Sequence, residues 1–346
     1  MSYTTFHDLW HGDSRALIQV PSGSVQLVVT SPPYPMVEMW DKLFAGMDPA
    51  VGRSLAHGKG YEAFDRMHQI LLPVWKEVAR VLAPGGVACI NIGDATRRVG
   101  NEFRLYPNHA RISTDLDEVG LAPLPSILWQ KTTNKPTKFM GSGMLPGGAY
   151  ATLEHEHILL ARKGGLRSFS VRERARRRES AYFWEERNLW FQDLWTGLVG
   201  ARQEVGHGGA RRSRSAAYPL EIPYRLIAMY SLQGDTVLDP FVGTGTTSVA
   251  AACLGRNSLG IDLEDGLRDV SFARMKQAPR SAEALLRSRL QRHKRFLATS
   301  RAGKTARHRS RVYGFPVVTQ QETDLRIPVL RSLERISPER LRATYE

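Results

Sequence analysis

Cysteine is scarce in this chain: Cys89 and Cys253 are the only two among 346 residues, and each stands inside an apolar stretch. That excludes a disulfide framework and a cysteine-built metal centre, and both thiols are expected to be core. No run of eighteen apolar residues occurs, so no membrane-spanning helix is expected. The first ten residues, Met1 to Trp10, have neither the cationic start nor the apolar centre of a secretion signal. A cytoplasmic location is the expectation. Hydrophobic residues nevertheless make up 42% of the chain. That is enough for a sizeable core, and it excludes disorder throughout.

Acidic residues are also in short supply, 34 against 48 Lys and Arg, for a formal net charge of +14. A surplus of this size favours a polyanionic partner, nucleic acid or an anionic membrane surface. It is unevenly spread. Arg162 to Arg214 holds 13 basic and 6 acidic residues, and Leu267 to Gly314 holds 14 basic and 2 acidic. The rest of the chain is therefore net acidic, and the positive charge is concentrated where a phosphate backbone could run.

Short β-branched runs alternate with helical periodicity. Strands are predicted at Val25 to Thr30, Val87 to Ile92, Ser126 to Gln130, His157 to Ala161, Thr236 to Leu238 and Asn257 to Asp262. Helices are predicted at Tyr61 to Leu82, Asn108 to Val119, Leu220 to Ser231 and Thr246 to Leu254, with a basic helix from Gly266 to about Leu297. The polar Ser/Arg/Lys segment beyond it reads as mobile. Alternation of this kind implies an α/β fold, a mostly parallel twisted sheet with helices on both faces.

Asp239-Pro240-Phe241-Val242-Gly243-Thr244-Gly245-Thr246-Thr247 lies between a strand and a helix. Glycines there let the backbone approach a ligand and leave helix N–H groups facing it. Asp262, at the end of the next strand, is placed to accept hydrogen bonds from ribose hydroxyls. The turn has no lysine or arginine for a triphosphate and lacks the third glycine of a dinucleotide fingerprint. Asp239 would repel phosphate and suits a cationic ligand carrying an amino group, such as S-adenosylmethionine.

Thr30-Ser31-Pro32-Pro33-Tyr34-Pro35 leaves the carboxyl end of a strand, where open α/β sheets bind ligands. Its prolines remove N–H donors and leave carbonyls free, Ser31 adds an oxygen, and Tyr34 offers a flat face. A carbonyl and a hydroxyl converging beside an aromatic ring suit an exocyclic amine on a stacked base.

With these two motifs the chain resembles the amino-group DNA methyltransferases that use S-adenosylmethionine. Ser31 to Tyr34 matches their catalytic motif, Asp239 to Thr247 their DPFxGxGTT cofactor motif, and Asp262 their ribose-binding acid, which is glutamate in many relatives. Arg80 to Gly86 matches a further block. Ala217 to Pro223, with Tyr218 and Pro219, matches the segment beside the cofactor. The resemblance spans about Gly12 to Asp262. It implies a Rossmann-like methyltransferase fold with the catalytic half (1–163) ahead of the cofactor half (216–266). Between them would lie a DNA target-recognition region (164–215), and a basic C-terminal extension (267–346) would follow. Asp239, Pro240, Phe241, Gly243, Gly245, Thr246, Thr247, Asp262, Tyr218 and Pro219 would bind the cofactor.

Serine at the head of the catalytic motif goes, in that family, with the N4 amine of cytosine; aspartate or asparagine goes with adenine N6. Ser31, Pro32, Pro33 and Tyr34 would act on a flipped-out cytosine in double-stranded DNA. Arg172, Arg174, Arg176, Arg177, Arg178, Arg211, Arg212 and Arg214 would contact the DNA. A restriction endonuclease acting on the same site is an expected partner, and the enzyme would be a monomer or dimer. Trp184, Trp190 and Trp195 read as a small core rather than base wedges. The His155 and His157 segment is expected to hold no metal. Adenine N6, RNA, and a silent DNA-binding protein on the same scaffold are the alternatives.

Overall fold

The computed structural model describes residues 3–131, 142–199, 201–205 and 212–346, with 201–205 and 212–217 described as backbone strands. A ten-stranded sheet forms the centre. From one edge to the other its strands are Leu330–Arg335, Arg340–Tyr345, Tyr3–His11, Asn257–Asp262, Thr236–Asp239, Val25–Thr30, Leu82–Ile92, His155–Lys163, Leu121–Gln130 and Leu194–Trp195. Eight run one way; only His155–Lys163 and Arg340–Tyr345 are reversed.

Helices cover both faces. One core gathers around Glu221–Tyr230, Thr246–Cys253 and the apolar side of Ala278–Thr299; the other lies under Gly60–Val81 and Asn108–Glu118. Thr246–Cys253 is buried on every side, as its run of small residues permits. Cys89 and Cys253 are free and buried. Trp190 and Trp195 are core, the Trp195 indole donating to the Trp190 carbonyl at 3.0 Å. Trp184 is half-buried against Phe296. At Gly85, φ is +78° and an added Cβ would lie 2.4 Å from the Arg167 amide nitrogen, so only glycine fits this turn.

Three features depart from the sequence reading. Tyr3–His11 is a strand whose pattern is disguised, because Thr5 and His7 occupy fully buried positions. Thr5 bonds His7 and Tyr345, and His7 bonds Ser258, so burial does not leave them unsatisfied. Burial drives the His7 pKa down to about 3.

Secondly, the strand read at Ser126 begins at Leu121. Pro123 and Pro125 break its pattern, and the register shifts between Leu124 and Ile127.

Thirdly, the segment read as mobile is ordered. Arg301–Lys304 is a short helix, and His308–Arg309 pairs with Pro316–Val317. Tyr313 and Phe315 close a cluster with Phe183, Leu325 and Ile327. The tail then returns two strands to the central sheet, and Ala343 and Tyr345 are fully buried. Its sparse apolar residues are spent on one face each, which leaves a composition that imitates a polar tail.

Candidate active site

Val25–Thr30 and Thr236–Asp239 lie side by side and parallel, with Leu27 opposite Val237 and Val28 opposite Leu238. From the first strand the chain continues outward to Leu82–Ile92, and from the second, in the opposite direction, to Asn257–Asp262. Loops that diverge in this way leave a crevice at the carboxyl ends, the usual ligand position in an open α/β sheet. Both sequence motifs therefore open onto one crevice.

Thr30 Oγ1 donates to Asp239 Oδ1 at 2.6 Å, and the Phe241 amide donates to the same oxygen at 3.1 Å. Asp239 is buried, and desolvation raises its pKa to about 6 against the opposing hydrogen bonds of Thr30, Thr247 and Phe241. Gly243 (φ +51°) and Gly245 (φ +80°) carry the chain into the helix. Asp262 ties the turn down, accepting from the Gly243 amide at 2.9 Å and the Glu264 amide at 3.0 Å. Tyr218 Oη lies 2.5 Å from Thr247 Oγ1, and Arg274 reaches Thr244 and Thr246 at 2.8 Å. Pro219, one residue on, accepts from the Ile222 amide at the start of Glu221–Tyr230.

These elements surround a cavity of about 470 Å³. Asp239, Asp262 and Glu264 supply acid, Asp13 is paired with Arg15 at 2.6 Å, Trp40, Phe44, Leu71 and Phe241 supply apolar wall, and Ser31 and Pro33 complete the lining. The size is that of a small-molecule site. Carboxylates set against apolar and aromatic walls fit a cationic nucleoside, so the donor set suits S-adenosylmethionine.

On the far side of Ser31 a hydrogen-bond network begins. Ser31 Oγ is 3.1 Å from Tyr34 Oη, which donates to Glu156 Oε2 at 2.9 Å. Asn91 Nδ2 reaches both Tyr34 Oη (2.9 Å) and Glu156 Oε2 (2.6 Å), and Lys131 Nζ closes on Glu156 Oε1 at 2.5 Å. Burial, reinforced by the Glu156 carboxylate, raises the Tyr34 phenol well above its ordinary range. Asn108, fully buried, fastens the loop from behind: its Nδ2 donates to the carbonyls of Pro35 and Gly93, and its Oδ1 meets His68 Nε2 at 3.0 Å. Pro32 and Pro33 are buried. Sequence reading missed Asn91, Asn108 and Lys131, and met Glu156 only as part of the Glu154 to His157 segment considered for metal. The polar asparagine inside the apolar strand run Val87 to Ile92 was a further signal.

Nearby, Asp94, His109 and His157 offer ligand atoms within 4.8 Å of one another. His109 Nδ1 is already held by Asp94 Oδ2 at 2.7 Å. The His109 and His157 rings stack at 3.9 Å and 9°, so their ring lone pairs lie in near-parallel planes instead of pointing at one centre. The arrangement is a hydrogen-bonded, stacked pair, a poor match to metal coordination. His155 stands exposed beside it.

The structure parts the arginines. Arg172, Arg174, Arg176, Arg177 and Arg178 lie on Val171–Glu179, all exposed but the half-buried Arg176. Arg176 Nη1 approaches the Gln233 carbonyl at 3.5 Å, and Arg167 pairs with Asp235 at 2.6 Å. Both partners precede Thr236–Asp239, so this helix sits at the amino ends of the strands, opposite Ser31. That strand alone separates the two ends by about 10 Å. Arg212 and Arg214 lie on Arg212–Ala217, which leads directly into Tyr218 in the cavity lining. Arg211 lies outside the described residues.

Comparison with known proteins agrees with this geometry. The N6/N4 DNA methylase family model matches residues 25–272. The Type II methyltransferase M.MthZI of Methanothermobacter thermautotrophicus is 47% identical over 344 residues, covering 99% of this chain and 96% of that protein. The Type II methyltransferase M.MjaI of Methanocaldococcus jannaschii is 48% identical over 278 residues, 77% of this chain and 90% of its own. A solved structure of a DNA modification methylase from Thermus thermophilus, complexed with S-adenosyl-L-methionine, shares 32% identity with a TM-score of 0.61, over 79% of this chain and 94% of that one. The chain belongs to the N6/N4 DNA methylase family and is an S-adenosylmethionine-dependent DNA methyltransferase of the restriction-modification type.

Proposed function

We propose that the protein methylates the N4 amine of a cytosine flipped out of duplex DNA. One observation carries this reading: Ser31 lines the cofactor cavity and at the same time hydrogen-bonds Tyr34, so its hydroxyl stands between methyl donor and base. A serine hydroxyl is short, and it suits an amine held close to the loop.

The target amine is inaccessible within the stack, so the base leaves it at a cost of a few kcal/mol. Tyr34, its hydroxyl anchored at Ser31, Asn91 and Glu156, presents a ring of fixed orientation on which the base stacks. Ser31 Oγ and the Pro32 carbonyl accept hydrogen bonds from the amine and direct its lone pair toward the cavity. Asp239, Asp262 and the glycine turn hold S-adenosylmethionine, which supplies an electrophilic methyl group on sulfur. Positioning provides most of the acceleration, and no covalent enzyme intermediate is required.

DNA recognition is assigned to residues 164–215 and, within them, to the part beyond Trp195. Arg212–Ala217 leads into Tyr218, which lines the cavity, whereas Val171–Glu179 reaches Gln233 before Thr236–Asp239; this supports Arg212 and Arg214 over the arginines of Val171–Glu179 as contacts near the target base. A restriction endonuclease of the same site specificity is the proposed biological partner.

Nucleoside mass spectrometry of unmethylated DNA, incubated with protein and cofactor, tests the reading. N4-methylcytosine is the expected product. N6-methyladenine would keep fold and cofactor but refute the argument from Ser31.

A further inference from the structure

The hydrogen bonds around Tyr34 have a definite direction. An ionised carboxylate only accepts, so the Tyr34 hydroxyl proton is committed to Glu156 Oε2 at 2.9 Å. Asn91 Nδ2 fills one lone pair of the Tyr34 oxygen at 2.9 Å. The remaining lone pair faces Ser31 Oγ at 3.1 Å, so Ser31 donates to Tyr34. Both lone pairs of Ser31 Oγ are then free to accept from an incoming amine. Reversing the chain would set the Ser31 O–H toward the amine, donor against donor.

Glu156 is therefore more than a partner of Tyr34. It is buried, its other oxygen is held by Lys131 at 2.5 Å, and the Asn91 amide braces it at 2.6 Å. None of these groups lines the cavity that Ser31 and Asp239 share.

We propose that Glu156 is a positioning residue that orients Ser31 through Tyr34 and receives, along that chain, the proton the methylated amine must lose. The inference rests on the reading of the Ser31 loop as the amine-binding site. As the N–C bond forms and the S–C bond breaks, the amine nitrogen becomes cationic. Its lone pair was conjugated with the ring, so the cation is far more acidic than an alkylammonium, and a weak base suffices. One amine N–H bond breaks as a proton passes to Ser31 Oγ. The Ser31 proton passes to Tyr34 Oη, and the Tyr34 proton to Glu156 Oε2. Neutral methylamine, restored serine and tyrosine, and a protonated Glu156 remain, and exchange with solvent resets the carboxylate.

Glu156→Gln separates orientation from transfer, because its amide oxygen can still accept from Tyr34 while it cannot take a proton. Tyr34→Phe keeps the stacking ring and cuts the chain. In single-turnover assays on DNA that the parent methylates, each variant should slow transfer about 100-fold or more. Dissociation constants for cofactor and DNA should stay within threefold, since Tyr34→Phe keeps the stacking ring and neither residue lines the cofactor cavity. The double variant should be no slower than the worse single one, the mark of residues acting in one chain. The parent should also show a solvent deuterium isotope effect that Tyr34→Phe abolishes.

Full activity of Glu156→Gln, additive losses, or losses that follow weakened cofactor or DNA affinity would overturn the proposal. A cofactor-free measurement stands apart from the substrate assignment. Proton NMR should show a slowly exchanging Tyr34 hydroxyl resonance that is missing in Tyr34→Phe and displaced in Glu156→Gln; its absence in the parent would refute the chain. A parent that methylates no cytosine, yet shows that resonance, would sink the substrate reading alone.

Discussion

Thr30 Oγ1 lies 2.6 Å from Asp239 Oδ1, so the last residue before the Ser-Pro-Pro-Tyr loop holds the carboxylate that heads the glycine turn. The bond ties the Ser31 loop and the glycine turn together across neighbouring strands, 209 residues apart in sequence. Thr30→Val keeps the shape and removes the donor from a buried carboxylate. Urea unfolding should show a loss of about 2 kcal/mol. Calorimetry should show weaker cofactor binding, and unchanged values for both would remove the bond from any functional role.

Cofactor affinity should depend on pH through Asp239. Its pKa in the fold, about 6, lies above the ordinary 3.8 because burial penalises the charge. A cationic amino group is attracted only by the ionised form. Affinity should therefore fall by up to about tenfold for each pH unit below 6, and be flat above 7. Asp239→Asn should bind weakly and without that slope. The sign for stability is opposite. Between 3.8 and about 6 the folded state holds more proton than the unfolded one, so the cofactor-free protein loses stability as pH rises through this window. At pH 8 the full penalty, about 3 kcal/mol, is present, and Asp239→Asn should melt higher than the parent. Below pH 4 the difference should vanish. Equal melting temperatures at pH 8 would contradict the burial argument.

The parts of the site that were legible in sequence are those where backbone geometry demands particular residues. Gly243 and Gly245 need positive φ, and the two prolines after Ser31 strip donors from a loop; neither requirement depends on distant neighbours. Glu156 and Asn91 were not legible, because their roles arise only when His155–Lys163 pairs with Leu82–Ile92 and sets Asn91 opposite Ile158 beside Glu156. The strand Tyr3–His11 was hidden for a similar reason. Its buried Thr5 and His7 are satisfied by Ser258 and Tyr345, residues more than 250 positions downstream. Charge gave no position: the arginine-rich helix is solvated as its charge predicts and lies at the opposite end of the sheet from Ser31.

The basic tail is bound to the rest of the fold by a buried ion pair. Arg289, on Ala278–Thr299, meets Glu186 at 2.6 Å through Nε and 2.7 Å through Nη2, both residues being buried. Its guanidinium also lies 5.5 Å from the Trp190 ring centre. Removing one partner leaves a buried charge, so Arg289→Ala should cost about 3–5 kcal/mol. Replacing both residues by apolar ones of similar volume should recover most of it. If Arg289→Ala changed only DNA affinity and left the unfolding midpoint alone, the residue would belong to the DNA surface instead.

The placement of the arginines separates two basic stretches that charge counting merges. Each phosphate contact contributes about 0.9 to the slope of log affinity against log salt. Duplex bound with its target base at Ser31 would pass the strand that leads into Tyr218 and stay clear of Val171–Glu179 at the other end of the sheet. Arg212→Gln with Arg214→Gln should lower the slope by about 2 and weaken specific binding. Neutralising Arg172, Arg174, Arg177 and Arg178 together should change it by less, although twice as many charges are removed. Fluorescence anisotropy across a salt series reads both slopes. A larger effect from the helix would mean that the duplex wraps around to the amino ends of the strands, and target recognition would then have to be sought along the whole of residues 164–215.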